Sequence, residues 1–190
     1  MTVEEIYSNL AAHMIKGLMI HDQMVDYYCF LNLKGYAMCH KYHYISENWD
    51  YMKLKKYYIK HHGKLIPEKS IENPKVIPSN WYSHIKADVD VSTVRNGVKT
   101  GLEKWVAWET ETKELYQKAY KDLIALGAVA DANFICCFIE GVDWELVQAE
   151  SFHLKKKIDD FSISSITGDQ EWKYKKYSEK IRSLLECSDE

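Results

Sequence analysis

Four acids, Glu47, Asp50, Glu109 and Glu145, fall on stripes of the sequence that are otherwise apolar. An unpaired carboxylate is costly to bury, so acids at such positions call for a cation or a proton. Glu47 and Asp50 stand three apart, on one helical face and one turn from each other, and His43 lies one turn before Glu47. Carboxylate oxygens joined by an imidazole suit iron, and bridging two metal ions takes ligands from facing helices. The usual di-iron set in a bundle is a Glu from each of two helices and a Glu-x-x-His pair from each of the other two. Glu47-Asn48-Trp49-Asp50 has that spacing, with Asp where His would stand. The alternative is that these acids lie at stripe edges and pair with lysines such as Lys104 or Lys118, as charged residues near helices commonly do.

The elements that would position these residues are helices. The three prolines, Pro67, Pro74 and Pro78, fall in one short stretch between long proline-free segments. Because proline disrupts helix interiors, this reads as helical, loop, helical, without βαβ rhythm or hairpin signals. Val3, Ile6, Leu10, Met14, Gly17, His21, Met24 and Tyr28 recur at helical spacing after Thr2, a candidate N-cap with Glu5 at the capping-box position. This predicts a helix over 2–31. Further stripes predict helices over 36–62, closed by Gly63, over 90–126, ended near Gly127, and over 131–161. A short fifth helix is expected over 169–187, carrying Trp172, Tyr177, Ile181 and Leu184. Short first–second and third–fourth links with a long 64–90 connection describe an all-α, antiparallel four-helix bundle with one crossover.

Bulk properties narrow the classes. A chain of 190 residues with 46% hydrophobic content and a formal charge of -3 suits one domain with a continuous core, and carries no basic footprint for nucleic acid. No apolar run approaches the roughly 20 residues of a membrane span, and MTVEEIYSNL has no leader pattern, so no membrane partner and a cytoplasmic location are expected. Five cysteines, with no CxxC pair, read as reduced thiols that mostly fill the core.

The segment 35–63, GYAMCHKYHYISENWDYMKLKKYYIKHHG, resembles the second helix of ferritins without a gap, in its glycine-aromatic start, its acid pair and its closing glycine. On that resemblance Glu47 takes the place of the bridging glutamate and Asp50 that of the histidine ligand. Glu109 and Glu145 match the acids of the third and fourth helices, and NFICCFIEGVDWE looks like the aromatic-rich fourth helix. FLNLKG at 30–35 is also similar to a motif of the mini-ferritins that protect DNA, with Phe30 where those proteins have histidine, but the later Asp and Glu they use are not found at suitable spacing.

The resemblance implies a divergent ferritin: iron as cofactor and partner at an altered di-iron centre of Glu47, Asp50, Glu109 and Glu145 with His43, Fe(II) oxidation, storage, and a homo-oligomer or cage. Three departures stand out. Counting back from Gly35 puts Met14 where the first helix has glutamate, Val142 stands where Gln or Glu is common, and the 64–90 link is long. His13 and His21 are the nearest substitutes for the missing ligand. Two further functions compete: a ferritin-fold structural or storage subunit without ferroxidase activity, and a helical interaction protein with Trp49, Trp108 and Trp144 as an exposed patch.

Overall fold

A computed structural model describes residues 1–74 and 89–186, so Pro78 and Cys187 lie outside the described residues. Five helices follow one another: α1 (Val3–Phe30), α2 (Lys34–His62), α3 (Val91–Ala125), α4 (Val129–Ile158) and α5 (Ile163–Glu186). No strand occurs among the described residues. α1 packs on α2 and α3, α3 on α4, and α5 lies along α2. This is a four-helix bundle with one long α2–α3 crossover and a C-terminal fifth helix, the shortest of the five.

Local chemistry fixes most ends. Thr2 Oγ1 accepts from Glu5 N–H at 3.2 Å while Glu5 Oε2 accepts from Thr2 N–H at 2.7 Å, satisfying two N–H groups that a helix start leaves without partners. Gly63 ends α2 at φ 67°, and Asp90 caps α3 by accepting from Thr93 N–H. The fifth helix departs from expectation. It begins at Ile163, not 169, because Ser165 N–H donates to Ser162 Oγ and Ile166 is fully buried, so Gly168 is an interior residue and no break. α4 stops at Ile158 because Asp160 and Phe161 take φ of 50° and 48°. Two non-glycine residues in left-handed backbone leave no mark that a sequence pattern would register.

The core is divided in two. One apolar cluster contains Ile6, Leu10, Met14, Leu54, Leu123 and Val142; the other contains Ile20, Met24, Leu102, Trp105, Ala149 and Ile166. Burying each such aliphatic side chain contributes about 1.5–3 kcal/mol. Between the clusters, every bundle helix passes through one polar level: Gly17 on α1, His43 to Asp50 on α2, Glu109 and Thr112 on α3, Glu145 and Gln148 on α4. Glu47, Glu109 and Glu145 therefore share a cross-section of the bundle.

The cysteines differ from expectation. Cys39 is buried, whereas Cys29, Cys136 and Cys137 are exposed. α4 is apolar on its outer as well as its inner face, so helical periodicity there did not distinguish core from surface.

Candidate metal centre

Glu109 is the deepest acid, 1% exposed, and its Oε1 accepts from the indole N–H of Trp105 one turn earlier, at 2.8 Å. Burial first, then the charges of Glu145 and Glu47, push its carboxyl well above the usual range. Both effects favour its neutral form. Glu47 reaches across the bundle. Its Oε1 lies 3.3 Å from the indole N–H of Trp108 and 3.2 Å from His21 Nε2. Glu47 Oε2 and Glu109 Oε2 are buried with no hydrogen-bond donor.

The reach of Glu47 depends on Gly17. A Cβ on Gly17 would stand 2.1 Å from Glu47 Oε2 and 2.8 Å from Trp108 Cζ2, so glycine leaves the space that the carboxylate occupies. Hence the α1 residue pressed against Glu47 is Gly17, one turn after Met14. Met14 lies with the apolar cluster and also lines the cleft described below.

On the other side of the layer, His43 Nδ1 lies 3.3 Å from Glu145 Oε1, and His43 Nε2 lies 3.2 Å from Gln148 Nε2. Burial alone would lower the His43 pKa, but hydrogen bonds to Cys39 and Glu145 and the Glu145 charge carry it well above the ordinary value. Burial opposes ionisation of Glu145 too, yet the His43 hydrogen bond and charge hold its carboxyl below the ordinary range. The two groups thus shift in the directions that favour their mutual hydrogen bond. Asp50 lies farther out, 38% exposed, and accepts from Lys53 Nζ at 2.9 Å. A cleft of about 680 Å³ opens between α2 and α4 and reaches His43, Glu47, Asp50 and Glu145 from solvent, with Lys53, Lys176 and Lys180 also on its walls.

The structure thus brings Glu47, Glu109, Glu145 and His43 into one layer, and leaves Asp50 at the cleft edge paired with Lys53. Among the described residues no three His, Cys, Asp or Glu side chains converge on one point where they would hold a metal ion. His13 does not approach the acids. It lies 2.8 Å from Thr112 Oγ1 and stacks on Trp108 at 4.2 Å, and burial lowers its pKa to about 4. His21 does approach them, between Glu47 and His40, whose Nδ1 lies 2.9 Å from His21 Nδ1. Among the described residues none of the buried acids Glu47, Glu109 and Glu145 pairs with a lysine, and Lys118 is taken by Asp122. The tryptophans form no shared patch, since Trp108 is buried and Trp144 is 76% exposed.

Sequence reasoning missed Gly17, Trp105, His40 and Gln148. Gln148 had a signal, three residues after Glu145 on the same face. Val142 is buried in the apolar cluster, and Gln148 supplies the polar residue one turn after Glu145 in place of one turn before it.

No family model matches the sequence, and neither does any curated protein. Solved structures do match the fold. A closed form of the Archaeoglobus fulgidus ferritin, engineered by site-directed mutagenesis, superposes with TM-score 0.74 at 14% identity, covering 90% of this chain and 94% of that one. The open-pore ferritin of the same archaeon superposes with TM-score 0.74 at 13% identity, again over 90% and 94%. Apo-ferritin from Pseudo-nitzschia multiseries gives TM-score 0.70 at 9% identity, over 88% and 96%. Identities this low speak for backbone and topology, and on those the chain has the ferritin-like fold.

Proposed function

We propose that this protein binds ferrous iron inside its ferritin-like bundle, with Glu47, Glu109 and Glu145 as oxygen ligands and His43 as nitrogen ligand. One observation carries the reading: two buried carboxylate oxygens, Glu47 Oε2 and Glu109 Oε2, face the interior without a donor in the layer that also holds Glu145. Hard oxygen donors with one imidazole fit iron. The neighbouring acids that raise Glu109 and His43 are the ones a cation would share, and a proton on either group must leave when that group becomes a ligand.

Iron is substrate and cargo in this reading. The cleft between α2 and α4 is the route in, Asp50 is a relay carboxylate at its edge, and Glu145 parts from His43 to take up the ion. α1 offers no carboxylate, because Met14 is apolar and Gly17 has no side chain. The centre is therefore a degenerate di-iron site with one well-supplied position and one poor one. Oxidation of the bound iron by dioxygen or peroxide, and storage of the ferric product in a homo-oligomer or cage, extend the reading by analogy with ferritins of this fold, one of which was studied as a variant soaked in iron.

A second reading, a ferritin-fold subunit without ferroxidase chemistry, is favoured by the His43–Glu145 hydrogen bond, which satisfies one of the acids internally. Adding Fe(II) aerobically to metal-free protein and following the ultraviolet absorbance of ferric species separates the two. Oxidation faster than in buffer, with saturable Fe(II) binding, supports the first. Oxidation at the buffer rate with no bound iron leaves the second.

A further inference from the structure

We infer that α4 is a self-pairing surface, on which a second copy of this chain docks antiparallel about a two-fold axis. The outer face of α4 carries Glu140, Trp144, Val147, Ser151, Leu154 and Ile158, all exposed, at alternating intervals of four and three residues. Trp144 is 76% exposed, Val147 51%, Leu154 58% and Ile158 75%. A strict alternation of four and three is the spacing of a coiled-coil seam, which keeps one stripe facing a partner helix along its whole length. The seam runs for about 27 Å at 1.5 Å per residue. A helix with apolar residues on both faces belongs to a buried environment, and within one chain α4 has only one face covered.

The occupant is identified by complementarity of the stripe with its own reverse. Turned end for end about Ala149, Trp144 meets Leu154 of the partner subunit, Val147 meets the partner's Ser151, and Glu140 meets the partner's Ile158. Each large side chain then faces a smaller or more flexible one. Charge follows the same symmetry. The acids of α4, Asp131, Glu140, Asp143, Glu145 and Glu150, all precede its last turn of Lys155, Lys156 and Lys157; Asp131, Asp143 and Glu145 pair within the chain with His62, Lys113 and His43, and Lys155 and Lys156 with Asp169. Antiparallel pairing brings Lys157 of each copy beside Glu140 of the other, whereas parallel pairing would set Glu140 against Glu140 and Lys157 against Lys157. Glu140, Glu150 and Lys157 have no ion-pair partner among the described residues, so they are available to do this. One contact is unfavourable: Glu150 flanks the axis and meets its own copy. Trp144 and Val147 also form the outer lip of the cleft, so pairing covers that lip.

Analytical ultracentrifugation of the metal-free full chain tests the surface without reference to iron. A species of two copies, or a multiple of two, is expected. The double variant L154E/I158E should halve its mass while the helical circular dichroism is kept. The milder K157E should weaken association about tenfold, equivalent to 1.4 kcal/mol, and E150Q should strengthen it. With C136S/C137S as background, V147C/S151C should cross-link between copies under mild oxidation, and V147C alone should not. A monomer at all concentrations, or a mass that L154E/I158E leaves unchanged, overturns the inference. An oligomer that K157E tightens, or in which V147C/S151C fails to cross-link, overturns the antiparallel register.

Discussion

The α1–α3 side and the α2–α4 side of the polar layer shift the same residue type in opposite directions. On the closed side, where α1 packs against α3, burial and two neighbouring acids push the Glu109 carboxyl up. On the open side, a cleft separates α2 from α4, and His43 holds the Glu145 carboxyl below its ordinary range while Asp50 rests on Lys53. Burial opposes ionisation of both, so the neighbouring imidazole decides the difference, since a glutamate has no fixed charge state of its own. The closed side holds carboxylate oxygens without a donor, and the open side holds groups reached by the cleft.

The largest effect that would break this contrast is expected at Glu109. Glu109→Gln keeps the shape and removes the ionisable group, so Fe(II) affinity measured by calorimetry should fall by about a hundredfold, while thermal stability stays level or rises because a buried acid is gone. Unchanged affinity would show that the closed side contributes no ligand. Next is Gly17→Ala, which forces Glu47 or Trp108 to shift and should lower stability by about 1–3 kcal/mol in denaturant titrations, with a change in Trp108 fluorescence.

The third effect concerns pH. His13 on the closed side has its pKa lowered to about 4, against 6.5 when unfolded. Between those values the unfolded chain binds the extra proton, so stability is complete above 6.5 and is lost as pH falls toward 4. The wild type should lose about 2 kcal/mol more than His13→Gln between pH 7 and pH 5. Equal losses would mean that His13 is solvated. The smallest effect is expected on the open side. Asp50→Asn removes an exposed ion pair with Lys53, and stability should change by no more than about 0.5 kcal/mol. Its Fe(II) binding should weaken only a few-fold, and a loss as large as that of Glu109→Gln would move Asp50 from the cleft edge to the centre of the site.

Much of the fold was legible because helix signals are local. Thr2 with Glu5, Gly63 and Gly127 lie within a few residues of the ends they set, and the confinement of proline marked the crossover. The ends of α4 and α5 were not legible, because Asp160 and Phe161 take left-handed backbone without glycine and Gly168 sits inside a helix anchored by Ile166. In the site, Glu47, Glu109 and Glu145 were visible as acids on apolar stripes. Gly17 was not, since a missing side chain matters only when a neighbouring carboxylate fills its space.

The sequence by itself determined the helices, their order and the presence of three inward acids, since periodicity and capping act over one or two turns of the chain. Only the tertiary structure decided that these acids share one level between two apolar clusters, that Gly17 stands opposite Glu47, and that Asp50 faces the cleft. Those facts depend on the relative rotation and height of packed helices. Side-chain packing sets both quantities across the bundle, between residues far apart in the chain.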